Sequence, residues 1–349
     1  MSVAETRIPI RNVYYMLCYA WNYLRQAELT DLDRLPGENV LDLLAVVLVQ
    51  GVEHLARRGL EQGYESREEE IAGVRGRIDV LRSARRFLPK HGKAACVFDE
   101  LTVDTRSNQI IKSTLRILEN HADLHDELRH RVHQLRKQLS GISEINVTGH
   151  TYRKVQLHGN NRYYRFLLSV CRLIQDNSLV DPQNGKFRFY DFVRDERIMS
   201  NVFQNFLYQF ARQEIDGWQV GRNHIAWEAN SETDPTLSFL PRMETDITLR
   251  RGNRCLIVDA KYYQKTMVSR FGAEKFHVEN LYQLMGYLTN YRAQSREDVR
   301  GMLVYPKVDR TVAERYRIQG FEVSLHTVDM SQQWPHIHDE LVAIFSATA

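Results

Sequence analysis

No cysteine pair with metal-binding or disulfide spacing occurs in this sequence. The four cysteines, Cys18, Cys96, Cys171 and Cys255, lie far apart and form no CxxC unit. That excludes a zinc ribbon and a disulfide framework, and the thiols read as buried side chains of a reducing compartment. An excess of one charge is also missing, since 47 basic and 44 acidic residues leave a formal net charge of only +3. The total neither announces nor excludes a nucleic-acid partner, because local patches decide that. Long apolar runs are absent too. The longest, "VLDLLAVVLVQGV" from Val40 to Val52, carries Asp42 and reads as a buried helix, being too short to cross a bilayer. The opening "MSVAETRIPIRN" lacks the apolar core of a secretion signal. A cytoplasmic protein with no membrane association is therefore expected. There is no G-x-x-x-x-G-K-S/T phosphate loop, so the chain is not itself a P-loop nucleotide motor. Internal repeats and low-complexity tracts are lacking as well.

What is present is an ordinary globular mixture: 349 residues, 43% hydrophobic and 26% charged. The length points to two or three domains. Helical spacing of apolar positions runs through "NVYYMLCYAWNYL" (Asn12 to Leu24) and "ENVLDLLAVVLVQGVEHLARRGL" (Glu38 to Leu60). Short strands and turns follow in "YESREEEIAGVRGRIDVLRSARR", where Gly73 and Gly76 punctuate. "AACVFDELTVDT" alternates like a strand, and "SNQIIKSTLRILENHADLHDELRHRVHQLRKQL" reads as a long helix or helical hairpin. An amphipathic helix in "GNNRYYRFLLSVCRLIQDNS" leads to a polar linker from Val180 to Arg188. From Phe189 onward the order is helix, three or four strands, helix, two strands, helix, which suggests an α/β sandwich around a short central sheet.

One stretch resists a purely structural reading. In "LIVDAKYY", Leu256 to Tyr263, an apolar strand ends on Asp259 and Lys261. Strand residues two apart share a face, so this acid and this base point the same way. In the preceding "METDITLR", alternation puts Glu244, Asp246 and Thr248 on one face. The short connection from Arg250 to Arg254 allows a hairpin that brings Asp246 near Asp259. Paired carboxylates repel unless a cation or proton lies between them. A hard divalent cation such as Mg²⁺ suits them, together with water and substrate phosphate. Lys261, with an ordinary pKa of about 10.4, would be an ammonium that orients water or stabilises phosphate charge. A plain Asp-Lys surface pair, worth ~0–1 kcal/mol, is the bland alternative. The Thr245-Asp246 pair on the neighbouring strand and the apolar run before Asp259 weigh against it. On the next helix Gln283 and Tyr287 are four apart and share a face.

This constellation resembles the PD-(D/E)xK nuclease superfamily, with "ETD" and "DAK" as its acidic strands and "QLMGY" similar to the Q-x-x-x-Y helix of its RecB-like branch. Thr245 stands where the eponymous proline would be. At the helix before the sheet, where some members carry a glutamate ligand, this chain has Gln204. Over nearly its full length, through "IPIRNVYYMLCYAW", "GVRGRIDV", "FDELTVDTRSNQIIKSTL", "RFYDFVRDERIMSNVFQNFLYQF" and "LPRMETDITL", the chain is similar to the McrC family, the nuclease subunits of McrBC restriction systems.

The resemblance implies an α+β / α/β protein. A mixed helical and small-strand docking domain, residues 1–180, would precede a restriction-endonuclease-like α/β/α nuclease domain, residues 189–349. It implies Mg²⁺-dependent cleavage of double-stranded DNA containing methylated cytosine, in complex with an McrB-like hexameric AAA+ GTPase that the N-terminal half stimulates. Asp246, Asp259 and Lys261 would be catalytic, with Asp246 and Asp259 as metal ligands. Gln283 and Tyr287 would be supporting or DNA-contacting, and Glu244 a possible extra acid. Some of Arg129, Arg131, Arg136 and Lys137 would belong to a partner-contacting finger. A non-cleaving bridge that activates the GTPase and a free-standing RecB-like repair nuclease are the alternatives. His121 and His125, four apart, have metal-ligand spacing but no third ligand in register.

Overall fold

The computed structural model describes all residues except 1–7, 25–29, 33–34, 37–38, 156–160, 181–185, 264–266, 271–272, 309 and 349. Two compact units divide the chain. One comprises Met1–Leu32, Glu38–Leu43 and Asp191–Ala349, and the other Asp33–Gly37 and Leu44–Tyr190. The last break along the chain falls after Tyr190. The first helix, however, belongs with the C-terminal unit rather than with residues up to 180.

That helix, α1 (Ile10–Ala20), is buried nearly all round, through Asn12, Val13, Tyr14, Met16, Leu17, Cys18 and Tyr19. Helix α2 (Val40–Arg58) carries the apolar run noted in the sequence. In the central unit, β1 (Gly63–Ala72), β2 (Arg77–Ile78) and β3 (Lys93–Thr102) form a three-stranded antiparallel sheet in the order β1-β3-β2. Gly76 sits there at φ +67°, and a Cβ on it would lie 2.4 Å from the Val97 carbonyl oxygen. Only glycine fits that backbone and that space. A short helix α3 (Val80–Arg85) is capped by Asp79, whose side chain accepts the Arg82 N–H.

The long helical stretch is a hairpin. Helices α4 (Arg106–Glu119) and α5 (Asp126–Gln138) pack together, and the short α6 (Gly149–Arg153) and α7 (Arg162–Asp176) follow. The expected linker at Val180 to Arg188 is partly structured: β4 (Ser178–Val180) pairs with β5 (Phe187–Phe189). Residues 181–185 of it lie outside the described residues. Phe187 and Phe189 of β5 pack their rings around the buried His121.

The C-terminal unit is built on a six-stranded mixed sheet. Helix α8 (Glu196–Glu214) precedes β6 (Gln219–Gly221), β7 (His224–Ile225), β8 (Met243–Glu244), β9 (Ile247–Arg251) and β10 (Arg254–Ala260). Next come β11 (Met267–Arg270), β12 (Ala273–Phe276), helix α9 (Val278–Gln294), β13 (Asp298–Pro306), β14 (Ala313–Ile318), β15 (Phe321–Val328) and helix α10 (Trp334–Thr348). The sheet order is β14-β15-β13-β10-β9-β6. The inner pairs β10–β13 and β13–β15 are parallel, and the outer pairs are antiparallel.

Parity along the strands assigns the two faces. Cys255, Ile257, Leu303, Tyr305, Val323 and Leu325 form a core with Leu284, Tyr287 and Leu288 of α9. A Cβ on Gly301 would lie 2.9 Å from Leu288 Cδ1, so the missing side chain is what lets α9 lie close on the sheet. On the opposite face α8 and α10 contact β10 and β15, and α1 packs along α8, with Tyr19 against Phe206, Phe210 and Trp334. This is a three-layer α/β arrangement with a central mixed sheet. Among the described residues no helix is long and apolar enough to cross a membrane.

Candidate metal-dependent hydrolytic site

The hairpin between β9 and β10 decides the site. Arg251 pairs with Arg254, so the connection is the two residues Gly252 and Asn253, with Gly252 at φ +60°. A left-handed residue in a two-residue loop matches the twist of antiparallel strands. The register it sets pairs Ile247 with Val258. One residue beyond, Asp246 comes beside Asp259. The main-chain N–H of Ala260 donates to Asp246 Oδ2 at 2.9 Å.

Asp259 is fully buried at 0% exposure. Neither of its carboxylate oxygens takes part in a well-aligned hydrogen bond. Lys261 Nζ lies 3.0 Å from Oδ2 as an ion pair. A buried carboxylate with so little hydrogen bonding is costly. Burial pushes the Asp259 carboxyl up, the neighbouring Asp246 adds to it, Lys261 pulls the other way, and the result is about 7. Asp246 is also raised, chiefly by burial and against the Ala260 N–H and Lys261. For Lys261, burial opposes the charge, but Asp259 and then Asp246 outweigh it and hold the ammonium above its ordinary value. Two acids that resist ionising together mark a place for a proton or a cation.

The ammonium is held from a second side. Lys261 Nζ donates to Gln283 Oε1 at 2.8 Å, and Gln283 Nε2 donates to Tyr287 Oη at 2.7 Å. Tyr287 Oη in turn donates to the Glu244 main-chain oxygen at 3.0 Å. The chain runs along one face of α9, where residues four apart meet. The amide of Gln204 on α8 donates to the Ala260 carbonyl at 3.3 Å, so it supports the backbone between Asp259 and Lys261 and is not aimed at the carboxylates.

The donors that Asp246 and Asp259 offer are oxygens only, and the Asp259 oxygens lack hydrogen bonds. Such a set suits a hard divalent cation rather than a soft one. Among the described residues no group of three His, Cys, Asp or Glu side chains is arranged to hold a metal. Asp246 and Asp259 are the two carboxylates on offer at this place, and any further ligands would be water, main-chain carbonyl or phosphate oxygens.

The profile of the family described as McrBC 5-methylcytosine restriction system component matches residues 5–306. The chain belongs to that McrBC family. A curated relative, the type IV methyl-directed restriction enzyme EcoKMcrBC of Escherichia coli (strain K12), is 46% identical over 338 residues, covering 97% of each chain. At the level of fold, a chain from the half-complex of the tetradecameric assembly of Thermococcus gammatolerans McrB AAA+ hexamers with bound McrC superposes with a TM-score of 0.61. It is 14% identical, and the match covers 94% of this chain and 75% of that one. The span matched to the McrBC family takes in Asp246, Asp259, Lys261, Gln283 and Tyr287, the residues that the hairpin and α9 bring together.

Other residues singled out in the sequence lie differently. Glu244 was expected on the Asp246 face of one continuous strand. The strand breaks between them: β8 pairs with β7, and Thr245 turns inward so that its Oγ1 lies 2.8 Å from Thr248 Oγ1. Alternation fails across this bend, and Glu244 is exposed. On α5, Arg129 donates to the Glu119, His121 and Leu124 carbonyls. Arg131 pairs with Glu53, and Arg136 with Glu119 and Glu144, while Lys137 is exposed. His121 is buried inside its unit and His125 stands at the start of α5, so the two form no metal site. The sequence reading missed Arg222. Its Nε donates to the Asp246 carbonyl at 3.1 Å and its Nη2 to Asn205 Oδ1 at 2.8 Å. Nothing in "WQVGRN" marks it beforehand, because its role comes from the pairing of β6 with β9.

Proposed function

We propose that this chain is the nuclease subunit of a GTP-dependent, methylcytosine-directed restriction complex, cutting DNA phosphodiester bonds with Mg²⁺ through a PD-(D/E)xK site. The observation that carries the reading is the pair Asp246 and Asp259 in register across the β9–β10 hairpin, with Lys261 ion-paired to Asp259 and oriented by Gln283. Asp246 and Asp259 would hold Mg²⁺, whose chemistry there would be Lewis-acid polarisation of a phosphoryl oxygen and acidification of a water. The chain's own contribution is placement. The buried strand keeps Asp259 rigid, the Ala260 N–H keeps Asp246 beside it, and Gln283 aims the Lys261 ammonium where negative charge grows during attack at phosphorus. Held above its ordinary pKa, Lys261 acts as a cation that positions water or stabilises the phosphate, not as a general base.

The partner in this reading is an McrB-like AAA+ hexamer acting on double-stranded DNA with methylated cytosine, in the cytoplasm. The solved assembly of McrB hexamers with bound McrC supports it at the level of fold. The central unit is the docking and GTPase-stimulating part. Its small sheet and the adjoining helix α3 and turns expose Tyr64, Val74, Val80, Leu81 and Phe87, a density of apolar side chains that marks a contact surface. With Arg129, Arg131 and Arg136 engaged inside the unit, this sheet is a better candidate for the partner-contacting element than α5.

The test uses the assembled complex. Asp259→Ala and Lys261→Ala should each abolish cleavage while GTPase stimulation persists. Cleavage by either variant would overturn the site. GTP hydrolysis by the wild-type complex with no nicking of methylated DNA would favour the bridging role, and cleavage by the chain alone would favour a free-standing nuclease.

A further inference from the structure

We propose that Arg222 is a positioning residue for the metal site: it locks a β-bulge that aims the Asp246 carboxylate at Asp259, and the hold of the two acids on a divalent cation depends on it. The proposal rests on the nuclease reading above and deepens it. Arg222 lies between β6 and β7, outside the two acid-bearing strands, and its side chain is exposed. An exposed arginine is ordinarily a solvated charge. This one is fixed on three sides.

The register around it is one residue out of step. Gly221 pairs with Thr248, and His224 pairs with Glu244. Between those pairs, Thr245, Asp246 and Ile247 oppose only Arg222 and Asn223. An extra residue on the acid-bearing side is a β-bulge, a device that re-aims a side chain. Its effect shows at the threonines. Thr245 and Thr248 are three apart and would point to opposite faces of an unbroken strand, yet their Oγ1 atoms lie 2.8 Å apart. Asp246 itself belongs to no strand, and its carboxylate, rather than a main-chain carbonyl, accepts the Ala260 N–H of β10.

A bulge disrupts the ladder locally, and here side chains supply the missing partners. Asn223 and Thr245 close one side: the Thr245 N–H donates to the Asn223 carbonyl at 3.0 Å, and the Asn223 N–H to Thr245 Oγ1 at 2.9 Å. Arg222 closes the other. Its Nε donates to the Asp246 carbonyl at 3.1 Å and its Nη2 to Asn205 Oδ1 at 2.8 Å. The Asn205 amide in turn donates to the Asn201 carbonyl at 2.7 Å. The guanidinium also lies over the Tyr208 ring, 4.6 Å from its centroid. These anchors stand on α8, the helix whose Gln204 donates to the Ala260 carbonyl at 3.3 Å. One helix thus steadies the main chain beside both acids, through Arg222 at Asp246 and through Gln204 at Ala260.

The two acids need this support unequally. Asp259 is held by a fully buried strand, whereas Asp246 stands on the bulge and depends on bonds from its neighbours. A cation shared by two carboxylates requires both at a fixed separation, and the groups that orient a ligand set the affinity nearly as much as the ligand does. Position and charge make opposite predictions here. As a bare positive charge beside Asp246, Arg222 would repel a cation, and its removal would tighten binding. As the clasp on the bulge, its removal would loosen Asp246 and weaken binding. The geometry favours the clasp, because an exposed charge is screened by solvent and salt while Nε and Nη2 both meet fixed acceptors.

The test measures Mn²⁺ binding to the full chain, without nucleotide, by loss of the free-ion electron paramagnetic resonance signal. Arg222→Ala should weaken binding by about ten- to a hundredfold, the scale of a lost partner behind a metal ligand. Arg222→Lys keeps the charge but cannot hold the Asp246 carbonyl and Asn205 together, so it should weaken binding as well. Because the side chain is exposed, both variants fold, and their melting midpoints in chelator stay within a few degrees of the parent. In the complex with the AAA+ GTPase partner, Arg222→Ala should need more Mg²⁺ than the parent for half-maximal cleavage. Mn²⁺ binding by Arg222→Ala as tight as the parent's, or tighter, overturns the proposal. Failure of the nuclease reading is distinct: Asp259→Asn would then bind Mn²⁺ as the parent does, whatever stands at 222.

Discussion

Asp246 and Asp259 come together because the register of one hairpin pairs Ile247 with Val258 and the Ala260 N–H donates to Asp246 Oδ2 at 2.9 Å. The two acids are thirteen residues apart in the chain, on either side of the turn at Gly252 and Asn253. The geometry that joins them also makes each unwilling to ionise, an unfavourable charge that a bound cation would relieve.

Asp259→Asn should therefore stabilise the metal-free protein at alkaline pH. With its carboxyl raised to about 7, above the ordinary carboxylate range, Asp259 favours the fold while protonated. That stability is fully present below about pH 4 and is lost as pH rises through 7. Thermal melts in chelator at pH 8 should show the asparagine variant above wild type, with a narrower gap at pH 5 that closes below about pH 4. Mg²⁺ should raise the wild-type midpoint at pH 8 and leave the variant unmoved. Equal Mg²⁺ responses would remove Asp259 from the metal site.

Gln283→Leu separates orientation from charge. Lys261 keeps its ion pair with Asp259 but loses the 2.8 Å bond to Gln283. Cleavage by the complex should fall by about ten- to a hundredfold, with the melting midpoint within a few degrees of wild type because Gln283 is exposed. Tyr287→Phe, which frees the Gln283 amide and leaves the Glu244 carbonyl unpaired, should give a smaller kinetic loss and cost about 1 kcal/mol of stability by denaturant titration. An undiminished rate in Gln283→Leu would show that Lys261 needs no guide.

Acid sensitivity of the central unit should trace to His121. Burial pushes its imidazole down to about 4, with Arg129 acting in the same sense and Asp123 opposing. The folded state holds it neutral, whereas the unfolded chain protonates below about 6.5. Stability is therefore full above pH 6.5 and falls as pH drops toward 4, by about 3 kcal/mol in total. His121→Leu, packed between Phe187 and Phe189, should flatten that slope in urea titrations at a series of pH values. A slope that persists would move the effect elsewhere.

Much of the site was legible in the residue order. Leu256-Ile257-Val258 running into Asp259 requires a buried strand, period two puts Lys261 on the same side as Asp259, and a short polar connection allows the hairpin. The spacing of Gln283 and Tyr287 places them on one helix face without further information. Glu244 shows where such reasoning stops. Alternation presumes an unbroken strand, and the bend at Thr245 depends on a hydroxyl contact with Thr248 and on β8 pairing with β7 instead of continuing into the sheet.

Most helices and strands, the hairpin that joins the two carboxylates, and the family follow from residue order, because local periodicity and turn chemistry act over a few residues. Which groups surround the two acids is set by the packing of distant elements. Arg222 reaches Asp246 through the pairing of β6 with β9, Gln204 reaches Ala260 from a helix 56 residues away, and α1 packs with the C-terminal half. Those relations depend on which apolar faces are buried against which, a property of the whole packed core that no short stretch of sequence carries.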